Sequence, residues 1–125
     1  MAGGLTISTL NDSSGVLATQ NGMSGIPKAW VNFTGGATPT INSSFNVSSI
    51  TRNGTGDHTI NFTTAMPSTT YAVTSALVNA ISSCCCAGVV GTGSTPTLKS
   101  TSQVRVGTYI YQSASDTQSY FAIFA

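Results

Sequence analysis

One short stretch of this chain brings together its only histidine and one of its three acids. Residues 43–67 read SSFNVSSITRNGTGDHTINFTTAMP and hold the single histidine, His58, next to Asp57. The other acids are Asp12 and Asp116, and the chain contains no glutamate. An Asp-His pair is the raw material of a metal site or of a base with its orienting acid. A closed zinc site needs four ligands, which one histidine and three scattered aspartates cannot supply unless the cysteines join. Those cysteines are contiguous, Cys84-Cys85-Cys86, and lack the two-residue gap that lets paired thiolates reach one ion from a turn. For hydrolysis, serine is abundant, but no Gly-x-Ser-x-Gly elbow surrounds one. Paired-carboxylate glycosidase chemistry is hard to assemble from three aspartates. Gly54-Thr55-Gly56 leads into Thr59-Ile60-Asn61-Phe62, a strand pattern, whereas a phosphate loop feeds a helix N-terminus. The expectation is therefore no catalytic residue, no metal and no cofactor.

Two further residue types need weighing. Six of the eight asparagines, Asn11, Asn32, Asn42, Asn46, Asn53 and Asn61, begin Asn-x-Ser/Thr triplets, the acceptor pattern for N-glycosylation. Asn32, Asn46 and Asn61 alternate with apolar residues in strand-like runs, and nearly a third of the chain is Ser or Thr. Composition therefore generates such triplets without any glycan. The aromatic residues Trp30, Tyr71, Tyr109, Tyr111 and Tyr120 have the chemistry of a carbohydrate-stacking surface. Trp30, beside Val31 and Phe33, is expected in the core, whereas Tyr109 and Tyr111 share a face with Arg105 as an exposed contact strip.

The elements that must position these residues are short strands. Apolar residues alternate at period two in Leu5–Ser8, Ala29–Phe33, Phe45–Val47, Thr59–Phe62, Tyr71–Val78, Val104–Tyr111 and Tyr120–Phe124, each bounded by turn residues. No window keeps helical periodicity. The spacing predicts an all-β fold, an antiparallel β-sandwich of jelly-roll type, over residues 27–125. Asn53-Gly54-Thr55-Gly56-Asp57 reads as a hairpin turn, with Asn53-Gly54 as its positive-φ pair and Gly56 as a further left-handed position, that pairs Phe45–Thr51 with Thr59–Thr64. Phe45 and Val47 share a parity that Ile50 does not, so burying all three requires a bulge near Ser48-Ser49. The cysteine run reads as strand continuation, with cysteine as a small apolar filler. Residues 1–26 are rich in Gly, Asn and Ser and read as an anchoring arm whose apolar residues Leu5, Ile7, Leu10, Val16 and Leu17 need a surface to lie on.

Composition narrows the partners. Seven charged residues in 125 leave a net charge of +1, which gives no basic field for nucleic acid or anionic membranes. No apolar run approaches the roughly 20 residues that span a bilayer. The N-terminus lacks a positive region and a continuous apolar core, so a secretory route is not expected. Strand edges without protecting charge, together with the arm, favour self-assembly.

The ordered block Lys28-Ala29-Trp30-Val31-Asn32-Phe33, Ser44-Phe45-Asn46-Val47-Ser48-Ser49-Ile50-Thr51, Asn53-Gly54-Thr55-Gly56-Asp57 and Asn61-Phe62-Thr63-Thr64-Ala65-Met66-Pro67 resembles a small domain recurring in tailed bacteriophages. It occurs there in tail fibres, head fibres and other virion structural proteins. The resemblance covers about residues 27–80, and the apolar C-terminal strand also fits. It implies a homotrimeric virion-surface protein made in the bacterial cytoplasm, where cysteines stay free and glycosylation triplets go unused. The implied role is structural and adhesive, a short fibre or knob, with other virion proteins and host polysaccharide as partners. Capsid decoration without a receptor role is the alternative, and a small lytic or depolymerising enzyme a third. The family pattern brings no catalytic motif, and residues 80–101 look particular to this chain.

Overall fold

The computed structural model describes residues 26–78, 85–90, 98–110 and 113–125. The arm residues Leu5, Ile7, Leu10, Val16 and Leu17, as well as Cys84 and Tyr111, lie outside them. The described residues form nine strands: β1 (Ala29–Thr34), β2 (Thr40–Phe45), β3 (Val47–Gly54), β4 (Asp57–Phe62), β5 (Ala72–Val78), β6 (Cys85–Val89), β7 (Gln103–Ile110), β8 (Ser113–Ala114) and β9 (Gln118–Phe124). Every pairing is antiparallel. One sheet, here sheet A, runs β2-β1-β9-β5, and the other, sheet B, runs β3-β4-β7-β6 with β8 also on β7. The expected all-β sandwich is what the chain forms.

Period-two alternation decides which side chains meet between the sheets. Ala29, Val31 and Phe33 of β1 and Phe121 and Ile123 of β9 point inward from sheet A. Ile60 and Phe62 of β4 and Val104 and Val106 of β7 answer from sheet B, and all of these are buried. Phe33 stacks on Phe121 at 6.2 Å between ring centroids. Burying each large apolar side chain is worth roughly 1.5–3 kcal/mol, against about 0–1 for an exposed ion pair. This core therefore holds the fold. Tyr71 closes one end of it, edge-on to Phe62, with its hydroxyl shared between the carbonyls of Ser100 and Gln103 at 3.0 and 3.1 Å. Burial pushes its pKa up to about 12.

The hairpin expectation needs two corrections. Phe45 does not continue into β3: it ends β2 in sheet A, and Asn46 turns the chain into sheet B with φ of 55°. The Asn46 amide makes that corner rigid, donating to the carbonyls of Lys28 (3.0 Å) and Thr64 (3.1 Å) and accepting from the Thr64 N–H (2.7 Å). Nor is Asn53-Gly54 the turn. Gly54 pairs with Asp57 at the end of the ladder, and the reversal is made by Thr55-Gly56, with Gly56 at φ 65° in the left-handed position expected for it. The bulge does fall where parity demanded it, between Val47 and Ser49, and both Val47 and Ile50 pack against the core.

Beyond Asp57 the flank of β7 is taken over by β8, whose Ser113 and Ala114 pair with Ile110 and Tyr109. This return brings Ser115 and Asp116 back against the β3–β4 turn. Gly56 is squeezed there: a side-chain carbon on it would lie 2.5 Å from the Ser115 nitrogen and from the Thr108 oxygen.

Candidate functional site

The chemically active types gather at one corner of sheet B. Asp116 Oδ2 accepts from Arg52 Nε (3.2 Å) and Nη2 (2.8 Å), while Oδ1 accepts from the Gly56 N–H at 2.8 Å. Burial works to raise the Asp116 pKa, but the Arg52 guanidinium and the Gly56 N–H outweigh it and hold the carboxyl below its ordinary value. His58 lies behind, 1% exposed, with Nε2 3.6 Å from Asp116 Oδ1 and its ring edge-on to Phe33 at 5.1 Å. Neither ring nitrogen has a hydrogen-bond partner. Burial depresses the imidazole pKa, and the opposing pull of Asp116 is smaller.

Asp57 points to the other face, where Arg105 grips it through Nε at 2.8 Å and through Nη2. Arg105 and then the Asn53 amide hold Asp57 below its usual value against its partial burial. Asp57 and His58, adjacent in sequence, thus serve opposite sides of β4 and do not act as a pair. No substrate reaches a histidine 1% exposed, and among the described residues no three His, Cys, Asp or Glu lie close enough to hold a metal. What this corner does is fasten the β3–β4 turn to the segment that enters β9.

Of the contact strip, Arg105 and Tyr109 do share the outer face of β7, as alternation requires, but Arg105 is committed to Asp57. The Tyr109 ring leans over Gly107, where a side-chain carbon would meet it at 2.9 Å, beside a shallow hollow formed with Ala87, Gly88, Val89 and Val90.

The more developed surface is built around Trp30. Trp30 is not in the core. It stands on the outer face of sheet A, 37% exposed, together with Tyr120 (37%) and Phe45 (43%). The signal was present: Ala29, Val31 and Phe33 occupy one parity of β1, so Trp30 and Asn32 must occupy the other. The ladder sets the rows. Phe45, Trp30, Ala122 and Thr74 lie side by side across β2, β1, β9 and β5, and Ser43, Asn32, Tyr120 and Ala76 form the next row. Between the two aromatic walls a groove of about 420 Å³ runs over the small side chains of Thr74, Ala76 and Ala122.

A bulge completes this face. Asn32 pairs with Ser43 and Phe33 with Ile41, leaving Asn42 as the extra residue of β2. Its amide donates to Asn32 Oδ1 and Thr34 Oγ1, both at 3.1 Å. Gln118 Nε2 donates to the same Asn32 oxygen at 3.1 Å and to the Tyr120 hydroxyl at 3.2 Å. The four strands of sheet A carry no Asp, Glu, Lys, Arg or His. An uncharged row of amides beside two aromatic rings can stack on an apolar ring and hydrogen-bond its substituents.

The glycosylation triplets find structural work as well. Asn32, Asn42, Asn46, Asn53 and Asn61 all have their amides engaged in hydrogen bonds, Asn61 with Ser49 and Thr51 and Asn53 with Asp57 and Thr59. No family model, curated protein or solved structure matches the chain.

Proposed function

We propose that this chain is a structural and adhesive protein of a tailed-phage virion surface. In this reading it is a short homotrimeric fibre or knob, mounted by residues 1–26, that presents sheet A to the host. The observation that carries the adhesive part is the outer face of sheet A, with three exposed aromatic residues, a groove and no ionisable charge on any of its strands. Exposed aromatic clusters on an otherwise polar surface mark contact sites. The virion setting rests on the resemblance of the block within residues 28–67 to a domain of phage structural proteins.

The rival is a capsid decoration protein, in which the same face is laid against a neighbouring shell protein. Virions lacking the protein separate the two. Adhesion predicts that adsorption to host cells falls sharply while particle integrity holds. Decoration predicts normal adsorption and lost resistance to heat or low salt. Labelling of the protein on intact particles gives its position, and removing residues 1–26 should abolish its incorporation if they are the mount.

A further inference from the structure

We infer that the sheet A groove binds a neutral, polyhydroxylated glycan. The inference rests on the adhesive reading of the same face and adds the chemistry of what it holds.

Asn32 Oδ1 has two lone pairs, and both are taken, by Asn42 and by Gln118. The two hydrogens on Asn42 Nδ2 go to Asn32 and Thr34, and the two on Gln118 Nε2 go to Asn32 and Tyr120. What is left along this network is the Thr34 O–H, the Asn42 carbonyl, the Asn32 NH2, the Gln118 carbonyl and the Tyr120 O–H. The sequence is donor, acceptor, donor, acceptor, donor. Turning all three amides over together reverses the order and keeps the alternation. A hydroxyl group both gives and takes a hydrogen bond, so neighbouring hydroxyls match such a row. Carboxylates, sulfates and phosphates only accept at neutral pH, and ammonium groups only donate.

Two other features select against competing occupants. A charged ligand would find no counter-charge on any sheet A strand, and its desolvation would go uncompensated. A purely apolar partner, such as a hydrophobic segment of a second copy, would strip water from the free amide groups and leave them unpaired. A sugar ring instead offers apolar C–H faces to Trp30 and Tyr120 and hydroxyl edges to Asn32 and the Tyr120 hydroxyl, which line the groove, with Asn42 and Gln118 hydrogen-bonded to them alongside it. The groove, about 420 Å³, lies within the range of roughly 300–1,000 Å³ usual for small-ligand sites.

The test is calorimetric titration of the full-length protein with neutral glucan, mannan and galactan oligosaccharides and with uronate- and sulfate-bearing oligosaccharides. Expected are saturable binding of at least one neutral series and at least tenfold weaker binding of the acidic ones. Trp30→Ala, Tyr120→Ala and Asn32→Asp should each weaken the neutral glycan at least tenfold with thermal melting unchanged, while Arg105→Ala on the opposite sheet leaves it intact. The inference is overturned if no neutral oligosaccharide binds, if acidic ones bind as well, or if these three folded variants bind like the parent. It is equally overturned if Trp30→Ala changes the sedimentation coefficient instead, since the groove is then a contact between copies. If particles without the protein adsorb normally, the adhesive reading fails while a positive titration stands. If Trp30→Ala particles adsorb like wild type and protein-free ones do not, the groove fails and adhesion stands.

Discussion

A buried imidazole with no hydrogen-bond partner makes His58 the most pH-sensitive residue of the core. Stability rises with pH wherever the unfolded chain holds more protons than the folded one. Burial depresses the His58 pKa, so the unfolded histidine takes up a proton near pH 6.5 while the folded one stays neutral to lower pH. Stability should therefore begin to fall below about pH 6.5. Asp57 and Asp116, both held below their ordinary values, add the same sign further down. Their contribution is present above about pH 3.9 and disappears as pH falls through the folded values. Melting curves from pH 8 to pH 3 should show both arms. His58→Leu should remove the upper arm, leave the lower one, and raise stability at pH 5 by about 1 kcal/mol or more, because it deletes an unpaired buried polar group. An unchanged slope between pH 6.5 and 5 in that variant would move the cause away from His58.

At the scale of elements, two short connections set the geometry. Gly56 needs both its positive φ and its missing side chain, since Ser115 and Thr108 backbone atoms crowd it. Gly56→Ala should cost at least about 2 kcal/mol, combining left-handed strain with a backbone collision, as read from denaturant midpoints. Asn46→Gly keeps the backbone freedom of the corner but loses three hydrogen bonds. A loss of about 2–3 kcal/mol is expected, and a loss below about 0.5 would mean that conformation alone made the corner. These connections also mark where the sequence was readable. Strands β1, β4, β5, β7 and β9 announce themselves by alternation, and the Ser48 bulge follows from parity. The Asn46 corner was hidden because Phe45 and Val47 have the parity of one continuous strand, and only tertiary bonds to Lys28 and Thr64 show that the chain changes sheets there. Gly56 is legible as a left-handed position, whereas Asn53-Gly54, a good turn pair in isolation, stays in the ladder because the crowding by β8 sets the reversal at Thr55-Gly56. Trp30 was misplaced by hydrophobicity although its parity was right. The amide row was not legible, since it depends on a bulge and on β9 lying beside β1.

On the scale of the molecule, charge is divided unevenly. Arg52, Asp57, Arg105 and Asp116 sit in two ion pairs on the sheet B side, whereas every strand of sheet A is neutral. Both pairs are partly exposed, so their worth is small and screened by salt. Raising NaCl from 0.05 to 0.5 M should change unfolding free energy by less than about 1 kcal/mol. A neutral terminal strand is an open template for pairing, and β2 is the terminal strand of sheet A beside β1. Thr40→Lys at its exposed start should lower concentration-dependent association in sedimentation velocity without shifting the melting temperature. An unaltered distribution would place self-association elsewhere.

Strand β9 carries a consequence for the order of assembly. It lies between β1 and β5 and pairs with both, Val31 with Phe121 and Ser75 with Phe121. During synthesis the β1–β2 and β3–β4 hairpins can each close as soon as they emerge. Sheet A, however, stays in two separate pieces until its last-made strand arrives to join them, across a separation of some ninety residues from β1 that makes closure slow. The groove and the Tyr120 end of the amide row thus come into being only at that moment. A nascent chain stalled before Gln118 should therefore hold the β1–β2 hairpin and the strands of sheet B but no groove.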